Sequence, residues 1–140
     1  MKQYLAIDIG GTAVKLGIVD EEGRVLSRTE QSVCFDNYET PILTTVLSAA
    51  EQFLKEQAVE PQGLAGIGVS AAGQIDTRKA SWPGPAAACP TTSEAPLKRS
   101  WKRSSACDHC RQRRNCMTLG EVWVGGAKGY TDVIGVTLGT

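Results

Sequence analysis

The segment Asp8-Ile9-Gly10-Gly11-Thr12 has the residue types and spacing for phosphate chemistry. A carboxylate closes an apolar run, and two glycines and a hydroxyl follow at once. Glycine admits positive φ and lets a backbone approach a ligand closely. The N–H groups of Gly10 and Gly11, with the Thr12 hydroxyl, can hold phosphate oxygens. Asp8 would then hold Mg²⁺ through water, because Mg²⁺ keeps several waters and takes few carboxylates. Lys15 can neutralise phosphate charge if strand alternation turns it to the same side. A tight hairpin with no ligand would use the same glycines. The aspartate argues against that reading, since a carboxylate on a buried strand costs free energy without a partner.

A second segment, Gly66-Ile67-Gly68-Val69-Ser70-Ala71-Ala72-Gly73-Gln74-Ile75-Asp76, ends a short apolar run in small residues. Such residues leave room for a ligand at the carboxyl edge of a sheet. A third cluster is Cys107-x2-Cys110-x5-Cys116, with His109 and Cys89 nearby. Its first spacing suits zinc. No second paired-cysteine knuckle follows, so no zinc site is expected at Cys107, Cys110 and Cys116.

The elements that position these residues follow from periodicity. Residues 3–9 read as an apolar strand and 13–20 as an alternating one. Glu22-Gly23 signals a hairpin, and 24–31 return as a third strand, which completes an antiparallel meander. Thr40-Pro41 supplies an N-cap and a first-turn proline. Apolar residues from Ile42 to Leu54 then recur at helical spacing, giving a helix over 41–57. Residues 64–70 form a buried strand. Residues 117–127 read as a helix with Gly129 as its C-terminal cap. Residues 132–138 read as a last strand. The order β-β-β-α-β…α-β gives an α/β fold with a mixed sheet and flanking helices.

The chain has 140 residues with 15 basic and 15 acidic groups, 15 Gly, 6 Pro and 5 Cys. That length suits one domain. No apolar run reaches the roughly 18 residues that span a bilayer. The start of the chain does not read as a signal peptide. A cytoplasmic location with reduced cysteines is therefore expected. The neutral total hides a break: residues 80–115 carry 7 basic and 2 acidic groups, 4 of the 6 prolines, and no Val, Ile, Phe, Tyr or Met. The chain divides into residues 1–79, an anomalous Pro/Arg/Cys-rich block 80–115, and residues 116–140. The block's basic run, with Trp82 and Trp101, forms no helical stripe, so a solvated loop is expected rather than a nucleic-acid surface.

Together these segments resemble the ROK family, bacterial sugar kinases and related repressors on the actin-like ATPase (ribonuclease H-like) fold. The resemblance rests on Ala6 to Thr12 with Lys15-Leu16-Gly17, and on Gly66 to Asp76. It extends to Leu119-Gly120-Glu121, to Gly125-Gly126-Ala127-Lys128-Gly129, and to Val136-Thr137-Leu138-Gly139-Thr140. It implies transfer of the ATP γ-phosphoryl group to a hexose hydroxyl, with ATP and Mg²⁺ as cofactors, and a homodimer for the full-length protein. By this resemblance Asp8, Gly10, Gly11, Thr12 and Lys15 would contact phosphate and Mg²⁺. Gly73 would lie near the sugar, and Gly139 and Thr140 would begin a second phosphate loop. The repressors carry a winged helix-turn-helix before the first motif. Only seven residues precede Asp8 here, so the kinase reading is preferred over a repressor fragment or a non-enzymatic interaction fragment.

The sequence departs from the family's pattern in three places. Counting back from Leu119-Gly120-Glu121, the family's catalytic acid falls on Arg113, and arginine cannot accept a proton. The interval from Gly73 to Glu121 is about the family's, but block 80–115 within it has the wrong residues, as an off-frame or disordered segment would. The chain stops where the second phosphate loop would continue, so the lobe is expected to be incomplete and the polypeptide inactive.

Overall fold

In the computed structural model, residues 1–37, 39–71 and 109–136 are described, with backbone alone over 109–114. A single five-stranded sheet has the order β3-β2-β1-β4-β5. Strand β1 (Gln3–Ile9) pairs antiparallel with β2 (Ala13–Asp20), which pairs antiparallel with β3 (Val25–Ser32). This is the expected meander. Strand β4 (Gly66–Ala71) lies parallel to β1 on its other side, and β5 (His109–Gln112) lies parallel to β4.

Helix α1 (Ile42–Glu56) covers one face of the sheet. Its buried Ile42, Val46, Ala49, Ala50, Phe53 and Leu54 join Leu5, Ile7, Ile9, Val14, Leu16, Ile18, Ile67, Val69 and Ala71 in one core. Alternation along each strand produces this arrangement: every second residue of β1, from Leu5 to Ile9, is buried under α1. Full burial of such a side chain contributes about 1.5–3 kcal/mol. The opposite face carries Tyr4, Ala6 and Asp8 from β1, and Gly66, Gly68 and Ser70 from β4.

Four local expectations are corrected. The residue capping α1 is Pro41, with no side-chain cap, while the Thr40 N–H donates to Asp36 Oδ2 at 2.8 Å. Pro41 is extended (ψ 133°), so the first helical residue is Ile42. Helix α2 (Arg113–Trp123) starts four residues early, directly after β5. It ends where the Gly125 and Ala127 N–H groups both donate to the Glu121 carbonyl, so Gly129, despite its φ of +92°, caps no helix. Residues 133–136 form no strand. They run against α2, where a Cβ on Gly135 would strike Thr118, and Ile134 and Val136 stay exposed. Within block 80–115, residues 109–112 form β5 and 113–115 open α2; residues 80–108 lie outside the described residues.

Candidate functional site

Strands β1, β4 and β5 point the same way, and their last residues, Ile9, Ala71 and Gln112, fall in register. One sheet edge therefore gathers the Gly10-Gly11-Thr12 turn, the end of β4, and position 113 at the start of α2. Parallel sheets bind ligands at their carboxyl edge.

The turn is held by the backbone. The Gly10 N–H donates to the Ala13 carbonyl at 2.8 Å, and the Thr12 carbonyl accepts from the N–H of buried Val33 at 2.9 Å. Gly10's amide is thus committed within the turn, contrary to its expected role toward phosphate. Neither Gly10 nor Gly11 adopts positive φ; among the described residues, the glycines that do are Gly23 and Gly129. What these two glycines supply is therefore a backbone without side chains. The Thr12 side chain is exposed at the edge.

Asp8 sits in the middle of a polar row that the register draws across the sheet: Glu30, Lys15, Asp8, Ser70 and the backbone position of Arg111. Residues directly opposite in a ladder share a face. Lys15 therefore stands on the Asp8 side, as its proposed role requires. The Ser70 Oγ–H donates to Asp8 Oδ1 at 2.7 Å, a contact between residues 62 apart in sequence. Asp8, Lys15, Arg28, Gly68, Ser70 and Cys116 line one cavity of about 420 Å³. A larger cavity, about 490 Å³, opens further along the same face beside Tyr4, Gly66 and Trp123. The charged groups on its wall, Asp20 and Glu21, belong to the β2–β3 hairpin, so the smaller cavity is the chemical one.

Sequence reasoning missed three of these neighbours. Ser70 lies in the Gly66–Asp76 segment, but its contact with Asp8 depends on the β1–β4 register. Arg28 reaches the cavity because it stands opposite Gly17. The spacing of Cys116 points to zinc alone and not to this cavity. Among the described residues no group of three or more His, Cys, Asp or Glu could hold a metal. Gly73, Cys107, Gly139 and Thr140 lie outside the described residues; Cys110 is placed in β5 by its backbone.

The comparisons with known proteins agree with the fold. A family model described as ROK family matches residues 4–140, a span that includes the anomalous block. The chain belongs to the ROK family. This ROK chain is 27% identical over 147 residues to a glucokinase from Thermotoga maritima, covering 99% of the chain and 42% of the relative. It therefore spans about two fifths of the length of that relative. Among solved structures, a ROK family glucokinase from Streptomyces griseus in complex with glucose and AMPPNP superposes with a TM-score of 0.69. The identity is 24%, with 91% of this chain and 38% of that one covered. A ROK family transcriptional regulator superposes nearly as well, with a TM-score of 0.68, 14% identity, and 86% and 30% coverage. At these identities the superpositions establish the actin-like ATPase lobe, and that lobe is common to kinase and regulator. Among the described residues no helix is long and apolar enough to cross a membrane.

Proposed function

We propose that this chain carries the first phosphate-holding part of an ATP-dependent sugar kinase. The observation behind this reading is the Asp8 carboxylate at the carboxyl edge of the parallel β1–β4 pair, in one cavity with Lys15 and Arg28. Two cations beside one carboxylate at a glycine turn suit a metal-bound polyphosphate, which needs both signs of charge. Glucokinase relatives make a hexose the favoured acceptor.

The donor set suits Mg²⁺. Asp8 and Thr12 offer hard oxygens, and a single carboxylate holds Mg²⁺ through water and phosphate rather than in a protein cage. Mg–ATP, when bound, supplies the transferable γ-phosphoryl group and the charge that offsets it. The chain's own residues then bind and orient. Gly11 and Thr12 face the phosphates on a turn fixed by the Gly10–Ala13 and Val33–Thr12 hydrogen bonds. Lys15 offsets negative charge.

The hydroxyl proton needs an acceptor at the start of α2, and position 113 there is arginine. A guanidinium stays protonated and cannot act as a base. The polypeptide as written therefore binds Mg–nucleotide but transfers phosphoryl groups no faster than background. Titration with AMPPNP in the presence and absence of Mg²⁺ tests the reading. Binding that requires Mg²⁺ and disappears in Asp8→Ala supports it, and binding indifferent to Asp8→Ala refutes it.

A further inference from the structure

We propose that Ser70 is a positioning residue for Asp8, fixing the carboxylate orientation on which Mg²⁺-dependent nucleotide binding depends; this rests on the function proposed above. Strand β4 is the starting observation. Its residues facing away from α1 are Gly66, Gly68 and Ser70, so the Ser70 hydroxymethyl is the one side chain β4 presents on that face. A Cβ at Gly68 would meet nothing within 4 Å, so the face beside Ser70 is open. The flanking Val69 and Ala71 are buried at 2% and 0% exposure, which pins the backbone on either side.

That single side chain meets the single carboxylate of the β1 face. Asp8 and Ser70 are direct register partners, and the O–H···O contact is 2.7 Å. Hydrogen bonds from a hydroxyl to an ionised carboxylate are short and among the stronger kinds. The Asp χ2 torsion is intrinsically broad, so a bond to one oxygen favours one orientation of the carboxylate plane. A residue that holds Mg²⁺ through water needs such an orientation, because the waters must be met along fixed directions. Partners that orient a metal-holding group typically change metal affinity by 10–100-fold when removed.

The test is Mg²⁺ titration of AMPPNP binding by the 140-residue chain and its variants, followed by calorimetry, with folding checked by circular dichroism. Ser70→Ala is expected to raise the Mg²⁺ midpoint about tenfold. Ser70→Thr, which keeps the hydroxyl, is expected to restore the midpoint. If Ser70→Ala does not fold, Ser70→Cys provides the reading, since a thiol is a weak donor of similar size and should shift the midpoint the same way. A folded Ser70→Ala or Ser70→Cys with the wild-type midpoint, alongside loss of binding in Asp8→Asn, overturns the positioning role and leaves the kinase reading standing. Absence of Mg²⁺-dependent binding by the unmodified chain overturns that reading, and this inference with it.

Discussion

Arg24 closes the β2–β3 hairpin onto Asp20, its Nε 2.6 Å from Oδ2 of a carboxylate with no solvent exposure. The Asp20 Oδ1 accepts from the N–H groups of Glu22 and Arg24, each at 2.9 Å. Burial pushes the carboxyl pKa up. The Arg24 side chain, the two backbone N–H groups and the Arg24 charge outweigh it and hold the pKa below the usual carboxylate value.

A depressed folded pKa has a definite consequence for stability. The unfolded carboxyl titrates near 3.9, so Asp20's contribution is fully present above about pH 4 and is lost as pH falls through the folded value. Asp20→Asn is expected to lower the melting temperature at pH 7 and to flatten its decline in acid. Melting curves from pH 7 to pH 2 measure both, and an unchanged acid limb would remove Asp20 from the account.

The hairpin also meets Val124, the residue that follows α2. Gly23 has φ +83°, and a Cβ there would lie 2.6 Å from Val124 Cγ1. Gly23→Ala is expected to destabilise by about 1–3 kcal/mol, through left-handed strain and the clash together. Val124→Ala in the same chain should recover the clash but not the strain. Denaturant unfolding of the two single variants and the double variant separates them, and complete recovery would show that backbone strain contributes nothing.

The sequence made some of this site legible and concealed the rest, for physical reasons. Asp8 and the Gly10-Gly11-Thr12 turn were readable because an apolar strand ending in a carboxylate and glycines is a local signal. Lys15's side of the sheet followed once alternation along β2 was combined with the antiparallel register. Ser70's role needed the pairing of β4 with β1, which no local pattern encodes. Strand β5 was invisible because His109-Cys110-Arg111-Gln112 contains no Val, Ile, Thr, Tyr, Phe or Trp; pairing with β4 makes it a strand. The opposite error occurred at 133–136, where Val133, Ile134 and Val136 have strand composition. Composition cannot show whether a partner strand exists, and among the described residues these form no strand, with Ile134 and Val136 left exposed.

Lys15 provides a test of the electrostatics. It is exposed, so its pull on a nearby phosphate is that of a solvated charge, about 1 kcal/mol. Lys15→Met is expected to weaken Mg–AMPPNP binding about fivefold. Raising ionic strength should narrow the gap between the variant and the unmodified chain, because exposed charges are screened. Equal affinities at low salt would show that Lys15 takes no part despite sharing the Asp8 cavity.

Under the proposed function, position 113 decides turnover. The register of β1, β4 and β5 brings the start of α2 to the edge that carries the Gly10-Gly11-Thr12 turn, the edge where the proposed reaction needs a proton acceptor. A general base is worth about 10² to 10⁴ in rate. Replacing it by a permanent cation removes that gain and adds charge where a proton must depart. ADP release coupled to a panel of hexoses is expected to stay at background for the 140-residue chain, even where AMPPNP binds. Arg113→Asp, placed in a chimera carrying the remaining length of a ROK glucokinase, is expected to raise ADP release at least about 100-fold over the same chimera with Arg113. The gene read in its other two frames across codons 80–115 is expected to show an Asn-Asp-x-Asn motif ending at position 115, which would account for the arginine. Hexose-dependent turnover by the unmodified chain, abolished by Asp8→Ala, would overturn the assignment of the missing acid to position 113.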